Sequence, residues 1–182
     1  MAYAAAPDAT ETSALAAIGG ATSPQSALAP VPDSIADILR EKRRLAAAAA
    51  GILAKQRHCL AIAIYFEARG EPARGQAAVA EVVLNRVASP HYPDTICDVV
   101  YQNEHRRNAC QFSFACDGKP ETISENKAWA LAKQIAADVI AGRRRVTEVA
   151  GATSYHARYV SPYWAASMRR LARIGQHIFY QG

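Results

Sequence analysis

The sequence predicts a mainly α-helical, α+β fold: a single domain with a small β element, preceded by a helix and a flexible tail. Three observations predict it. Apolar residues recur at helical spacing in separate stretches, as in Val79, Val82, Val83 and Val87. A long run from Ala88 to Glu121 carries three prolines, three cysteines and Gly118, which marks it as loop-rich. Only two short segments near the C-terminus, 152–157 and 177–180, read as extended. With 182 residues, about half of them apolar and a fifth charged, the chain is long enough for one domain with its own core.

In chain order, residues 1–31 hold eleven alanines, three prolines and no cation, with no periodic bulky positions. Such a segment has little to bury against the entropy of ordering and is expected to be a flexible tail. Pro32-Asp33-Ser34 offers a helix start, and Ile35, Ile38, Leu39, Leu45, Ile52 and Leu53 carry an alanine-rich helix over about 32–56. The compact domain is expected over 57–182. Its first helix runs from His58 to about Ala68 and stops at Gly70. Pro72 suits the first turn of a second helix reaching about Val87. Ser124 can cap a third, with Ala128, Leu131, Ala132, Ile135 and Val139 buried and Gly142 as its stop. Ser161-Pro162 resembles the start of a last helix through about Arg173. There is no internal repeat.

Charge narrows the partners. The net charge is +5, and every Lys and Arg lies from Arg40 onward, while Asp8, Glu11, Asp33 and Asp37 precede it. A surface of that kind favours an anionic polymer: nucleic acid, acidic lipid or bacterial wall. Apart from Arg143-Arg144-Arg145 the cations are scattered, so no nucleic-acid partner is expected. No run approaches the roughly 18 apolar residues of a membrane span. The opening MAYAAAPDATETSALAAIGG has neither a basic nor a leucine-rich region, so no signal peptide is visible.

Cys59, Cys97, Cys110 and Cys116 form no CxxC, and His58 and His105 complete no zinc spacing, so neither metal nor cofactor is expected. The even count suggests two disulfides, with three pairings open and four buried thiols as the alternative. Cys110 and Cys116 lie close within one loop and favour each other, which leaves Cys59 with Cys97.

The strongest local signal is AIAIYFEARGEP, Ala61 to Pro72. Glu67 follows an apolar run near a helix C-terminus. Desolvation and the negative end of the helix dipole both disfavour its ionised form. A carboxyl of raised pKa is what a general acid needs to protonate a poor leaving group at neutral pH. Arg69 opposes this if it turns toward Glu67. The bland alternative is a solvated helix end.

IYFEARGEPARGQAAVAEVVLNRV, YPDTICDVVYQ, CQFSFACDG and SYHARYVSPYWAASMRRLARIGQHIFY together resemble the cell-wall hydrolase family of the spore-cortex-lytic enzymes, over about residues 58–180. The resemblance implies a fold like that of lysozyme and lytic transglycosylases, and an exported protein of the periplasm or cell envelope acting on peptidoglycan. It implies Glu67, the first glutamate of EARGE, as the catalytic acid. The bond cut would join N-acetylmuramic acid to N-acetylglucosamine, commonly leaving a 1,6-anhydro end. A hydrolase would need a second carboxylate roughly 5 to 9.5 Å away. Glu71 is nearest in sequence, with Glu81, Asp94 and Asp117 as alternatives. A transglycosylase manages with one. Gln111, Phe112, Ser113, Tyr155, His156 and Trp164 are candidate substrate contacts, because sugars pair amides and hydroxyls with flat apolar faces. Gln76, Asn85 and Arg86 match the family's pattern and are expected to orient the Glu67 helix. His177 reads as structural. Two rival classes are a cysteine peptidase, with Cys59 or Cys110 as nucleophile and His156 as base, and a non-enzymatic wall-binding protein.

Overall fold

A computed structural model describes residues 34–106 and 110–182. The expected tail, 1–31, lies outside the described residues. The chain divides into two units at Gly51/Ile52.

In the first unit, helix α1 (Ile35–Ala68) begins where the serine signal places it. The Ser34 hydroxyl accepts from the Asp37 amide at 3.2 Å and donates to the Asp37 carboxylate at 2.6 Å. Asp37–Arg40 and Glu41–Arg44 pair one turn apart along this segment.

In the second unit, α1 continues to Ala68. The two helices expected over 32–56 and 58–68 are therefore one, because no proline or glycine interrupts Ile52–Ala68. Its last turns, Cys59–Tyr65, are buried. Helix α2 (Ala73–Val87) is the central element: every residue from Gly75 to Val83 is buried, and it packs on α4, α3 and β2. The short helix α3 (Ile96–Val100) falls in the stretch read as loop. Thr95 caps it reciprocally, accepting from the Asp98 amide and donating to its carboxylate.

Helix α4 (Asn126–Ile140) differs from expectation in two ways. Ser124 does not cap it. Instead the Ser124 and Glu125 amides donate to the Tyr65 hydroxyl at 3.2 and 3.1 Å. Its buried stripe is Ala132, Ile135, Ala136 and Val139, while Leu131 is exposed. It stops before Gly142, which takes φ +69 as a left-handed cap residue does.

The helix expected from Pro162 to Arg173 is replaced by a single 3₁₀ stretch, Tyr163–Ser167, followed by a strand. Three strands, β1 (Ser154–Ala157), β2 (Arg169–Ile174) and β3 (His177–Gln181), form an antiparallel sheet in the order β1-β3-β2. Gly175 and Gln176 link β2 to β3, and Gly175 has φ +58, open to glycine at little cost. Pairing with β3 outweighs the helical tendency of Arg169–Ile174.

Both disulfides are present. Cys59–Cys97 joins α1 to α3, and Cys110–Cys116 closes the loop between α3 and α4.

Candidate active site

Glu67 lies one residue from the end of α1 and borders a cleft of about 260 Å³. Phe66 and Phe114, stacked at 5.0 Å, form one wall with Ser113 and Asp117. Tyr155, Ala157 and His177 of the sheet form the other, with Tyr159 and Val160 beyond them. The carboxyl is half-buried, and burial pushes its pKa up to about 7. Among the described residues, two groups pull it back without cancelling that effect. The Tyr155 hydroxyl donates to Oε2 at 3.2 Å, and the charge of Arg86 favours the carboxylate. Arg69 does not contribute: it turns away to pair with Glu125 at 2.8 Å, with its guanidinium over the Tyr65 ring.

Arg86 is fully buried. Its Nε donates to the Thr153 carbonyl at 2.7 Å. With the Gln111 amide oxygen turned toward it, Nη1 and Nη2 donate there at 2.9 and 3.2 Å. The Tyr92 and Phe112 rings flank it. Gln76 donates to the Glu71 carbonyl, and Asn85 to the carbonyls of Val149 and Ala152, so both tie down backbone.

Of the expected substrate contacts, Ser113 and Tyr155 border the cleft beside Glu67. Gln111 and Phe112 do not; both are buried around Arg86. His156 and Trp164 do not either. Side chains alternate along β1, so Tyr155 facing the cleft sends His156 to the opposite face. There His156 stacks on Tyr180, with Nε2 3.0 Å from its hydroxyl, and Trp164 packs edge-on against both.

Glu71 is absent from the cleft lining. Its Oε2 accepts from the Gln176 amide at 3.0 Å, which anchors the β2–β3 turn. Glu81 is also withdrawn, buried against Arg145 and the Val146 amide. Among the described residues, Asp117 is the one further carboxylate bordering the cleft; it is exposed and accepts from the Lys119 amide. Phe114, Tyr159 and Val160 also line the cleft, and no local pattern in the sequence marks them. His177 had one: it pairs in register with Ala157, and so shares a face with Tyr155. All four cysteines are in disulfides, which leaves no thiol nucleophile. Among the described residues no cluster of His, Cys, Asp or Glu is placed to hold a metal, and no helix is long and apolar enough to cross a membrane.

The chain is thus a mostly helical domain with a three-stranded antiparallel sheet, whose aromatic-walled cleft is bordered by a half-buried glutamate of raised pKa. The profile of the cell wall hydrolase family matches residues 70–180, just after Glu67, and the chain belongs to that family. It is 34% identical over 121 residues to a spore cortex-lytic enzyme of Halalkalibacterium halodurans, covering 66% of this chain and 33% of that protein. The spore cortex-lytic enzyme of Bacillus subtilis is 32% identical over 120 residues, covering 66% and 35%. The chain thus spans about a third of the length of these relatives. In structure it is similar to the catalytic domain of the Bacillus cereus SleB protein, with TM-score 0.55 and 31% identity over 69% of this chain and 89% of that one. The catalytic domain of the germination-specific lytic transglycosylase SleB from Bacillus anthracis gives the same TM-score and identity, covering 69% and 93%.

Proposed function

We propose that this protein cleaves peptidoglycan glycan strands between N-acetylmuramic acid and N-acetylglucosamine, as a lytic transglycosylase in the cell envelope, with Glu67 as its acid and base. The observation that carries this reading is the Glu67 carboxyl, held near pKa 7 in a cleft walled by aromatic rings. At that pKa a sizeable fraction is protonated at neutral pH and can give its proton to the glycosidic oxygen. The same group, now a carboxylate, takes the proton of the muramic 6-hydroxyl as that oxygen attacks C1. The glycosidic C1–O bond breaks, an intramolecular C1–O6 bond forms, and no water is consumed. Glu71, committed to the β2–β3 turn, supports a scheme with a single buried carboxyl.

Asp117 carries the second reading, a two-carboxylate hydrolase, because it borders the same cleft. Digestion of purified peptidoglycan followed by mass spectrometry separates the two. Muropeptides ending in 1,6-anhydromuramic acid, lighter by one water, are expected. Activity should fall at least about a hundredfold in Glu67→Gln, the scale of losing a general acid. Reducing muramic ends, with Asp117→Asn as damaging as Glu67→Gln, would replace this scheme by hydrolysis. Undiminished activity in Glu67→Gln would remove Glu67 from the chemistry.

A further inference from the structure

We propose that His177 is a substrate-contacting residue of this cleft: backed by Glu71, its imidazole presents Nε2 as an acceptor for a hydroxyl of the bound glycan. The inference rests on the glycan-cleaving reading above and adds to it a second polar contact, one not carried by Glu67.

His177 opens β3 opposite Ala157 and borders the cleft together with Glu67. Its ring packs edge-on against Tyr155, the residue that donates to Glu67, at 5.1 Å between centroids. The two ring nitrogens face different surroundings. Nδ1 is completely buried and has no hydrogen-bond partner. Its nearest carboxylate oxygen is Oε1 of Glu71, at 3.9 Å. That leaves the Nε2 edge to border the cleft. A buried nitrogen without a partner is costly, and it marks the direction in which the ring is incompletely satisfied.

Glu71 is built into place more firmly than a turn anchor requires. Oε2 takes the Gln176 amide, which leaves Oε1 on the imidazole side. Two glycines make room for this carboxylate. A Cβ at Gly175 would stand 1.7 Å from Oε2, and one at Gly75 would stand 3.0 Å from it. A carboxylate behind one ring nitrogen selects the tautomer with its proton there. Nδ1–H then points to Glu71, and Nε2 keeps a free lone pair. At 3.9 Å the contact is too long for a hydrogen bond, but a shift of about 1 Å closes it, as happens when sites tighten on their ligands.

The imidazole is neutral at physiological pH. Burial lowers its pKa, Glu71 opposes this only in part, and the nearby His156 adds to the lowering. Tyr155 stays protonated because burial raises its pKa. Among the groups around His177, then, Glu67 is poised to donate, Glu71 is the carboxyl fixed behind the ring, and Nε2 is the neutral acceptor. Sugar hydroxyls are donors that suit such an acceptor.

The test uses the whole chain. His177→Ala and His177→Gln are assayed on peptidoglycan for KM and kcat separately. Binding of a GlcNAc–MurNAc tetrasaccharide is measured in the Glu67→Gln background with and without His177→Ala. Nitrogen NMR of the imidazole in wild type and Glu71→Gln reads the tautomer. Loss of one hydrogen bond should raise KM, and weaken tetrasaccharide binding, about three- to tenfold with kcat less affected. Wild type should show the Nδ1–H tautomer, and Glu71→Gln should reduce it. A wild-type KM and unchanged tetrasaccharide affinity in both folded His177 variants would overturn the proposal, as would a dominant Nε2–H tautomer. If wild type cleaves glycan but is insensitive to His177, this inference alone falls. If wild type neither cleaves nor binds glycan, the function falls and takes this with it.

Discussion

Replacing Glu67 by glutamine should stabilise the protein at alkaline pH while abolishing its activity. The folded-state pKa of about 7 lies above the ordinary value of 4.5, so folding favours the protonated carboxyl. Between those values the native state binds more protons than the unfolded chain, and stability falls as pH rises. The contribution is fully present below about pH 4.5 and lost above about pH 7. A shift of that size corresponds to roughly 3 kcal/mol at 1.36 kcal/mol per unit. The carboxyl is half-buried, with part of it open to the cleft, so solvent screening reduces this to about 1–2 kcal/mol. Glutamine mimics the neutral form and escapes the penalty. Denaturant unfolding of wild type and Glu67→Gln at pH 4 and pH 8 measures it. The two proteins should match within about 0.5 kcal/mol at pH 4, and the variant should be more stable by about 1–2 kcal/mol at pH 8. Equal stabilities at both pH values, or a variant less stable at pH 8, would refute the claim that burial dominates at Glu67.

Tyr155→Phe removes the hydrogen bond that favours the Glu67 carboxylate, so the pKa should rise further. The alkaline limb of the pH–activity profile should move up by about one pH unit or less, and a downward shift would contradict the assignment. Removing the Cys59–Cys97 disulfide, which spans 38 residues, as Cys59→Ala/Cys97→Ala should cost about 2–4 kcal/mol in a denaturant titration. Gly175→Ala forces a side chain into φ +58 and onto Glu71. It should cost at least about 1–2 kcal/mol, read as a lower Tm.

Where local signals coincide with tertiary packing, the sequence was sufficient to place elements. The valine stripe of α2 and the Gly142 stop of α4 are such cases. The misreadings have a common cause in non-local contacts. Arg169–Ile174 has no helix breaker, and only its pairing with β3 makes it a strand. The direction of Glu71 is set by a turn more than a hundred residues away, Gly175-Gln176, which nothing near position 71 announces. The Tyr155–His156 pair is different. Both were expected at the cleft, yet alternation along a strand forbids two neighbours from sharing a face, and that rule was available from the sequence alone. The Thr95-x-x-Asp98 cap of α3 was likewise present as a capping pattern inside a stretch whose prolines suggested loop.

Gln111 and Phe112, expected at the substrate, instead surround Arg86, and this relocates their effect without removing it. Among the described residues Arg86 forms no ion pair; a carbonyl, an amide oxygen and two aromatic rings satisfy it. An unneutralised cation buried this way keeps its field, and that field reaches Glu67. Burial without Arg86 and Tyr155 would raise the Glu67 carboxyl further and leave less of it ionised to take a proton. Full exposure would leave it ionised and unable to donate. A one-carboxyl scheme needs the group to give a proton and then take one at the same pH, so its pKa must sit near the working pH. Arg86 and Tyr155 against desolvation set that balance, with Gln111 and Phe112 holding the cation in place. Replacing either of those two residues should therefore act on the cleft through the titration of Glu67, without any contact to the glycan.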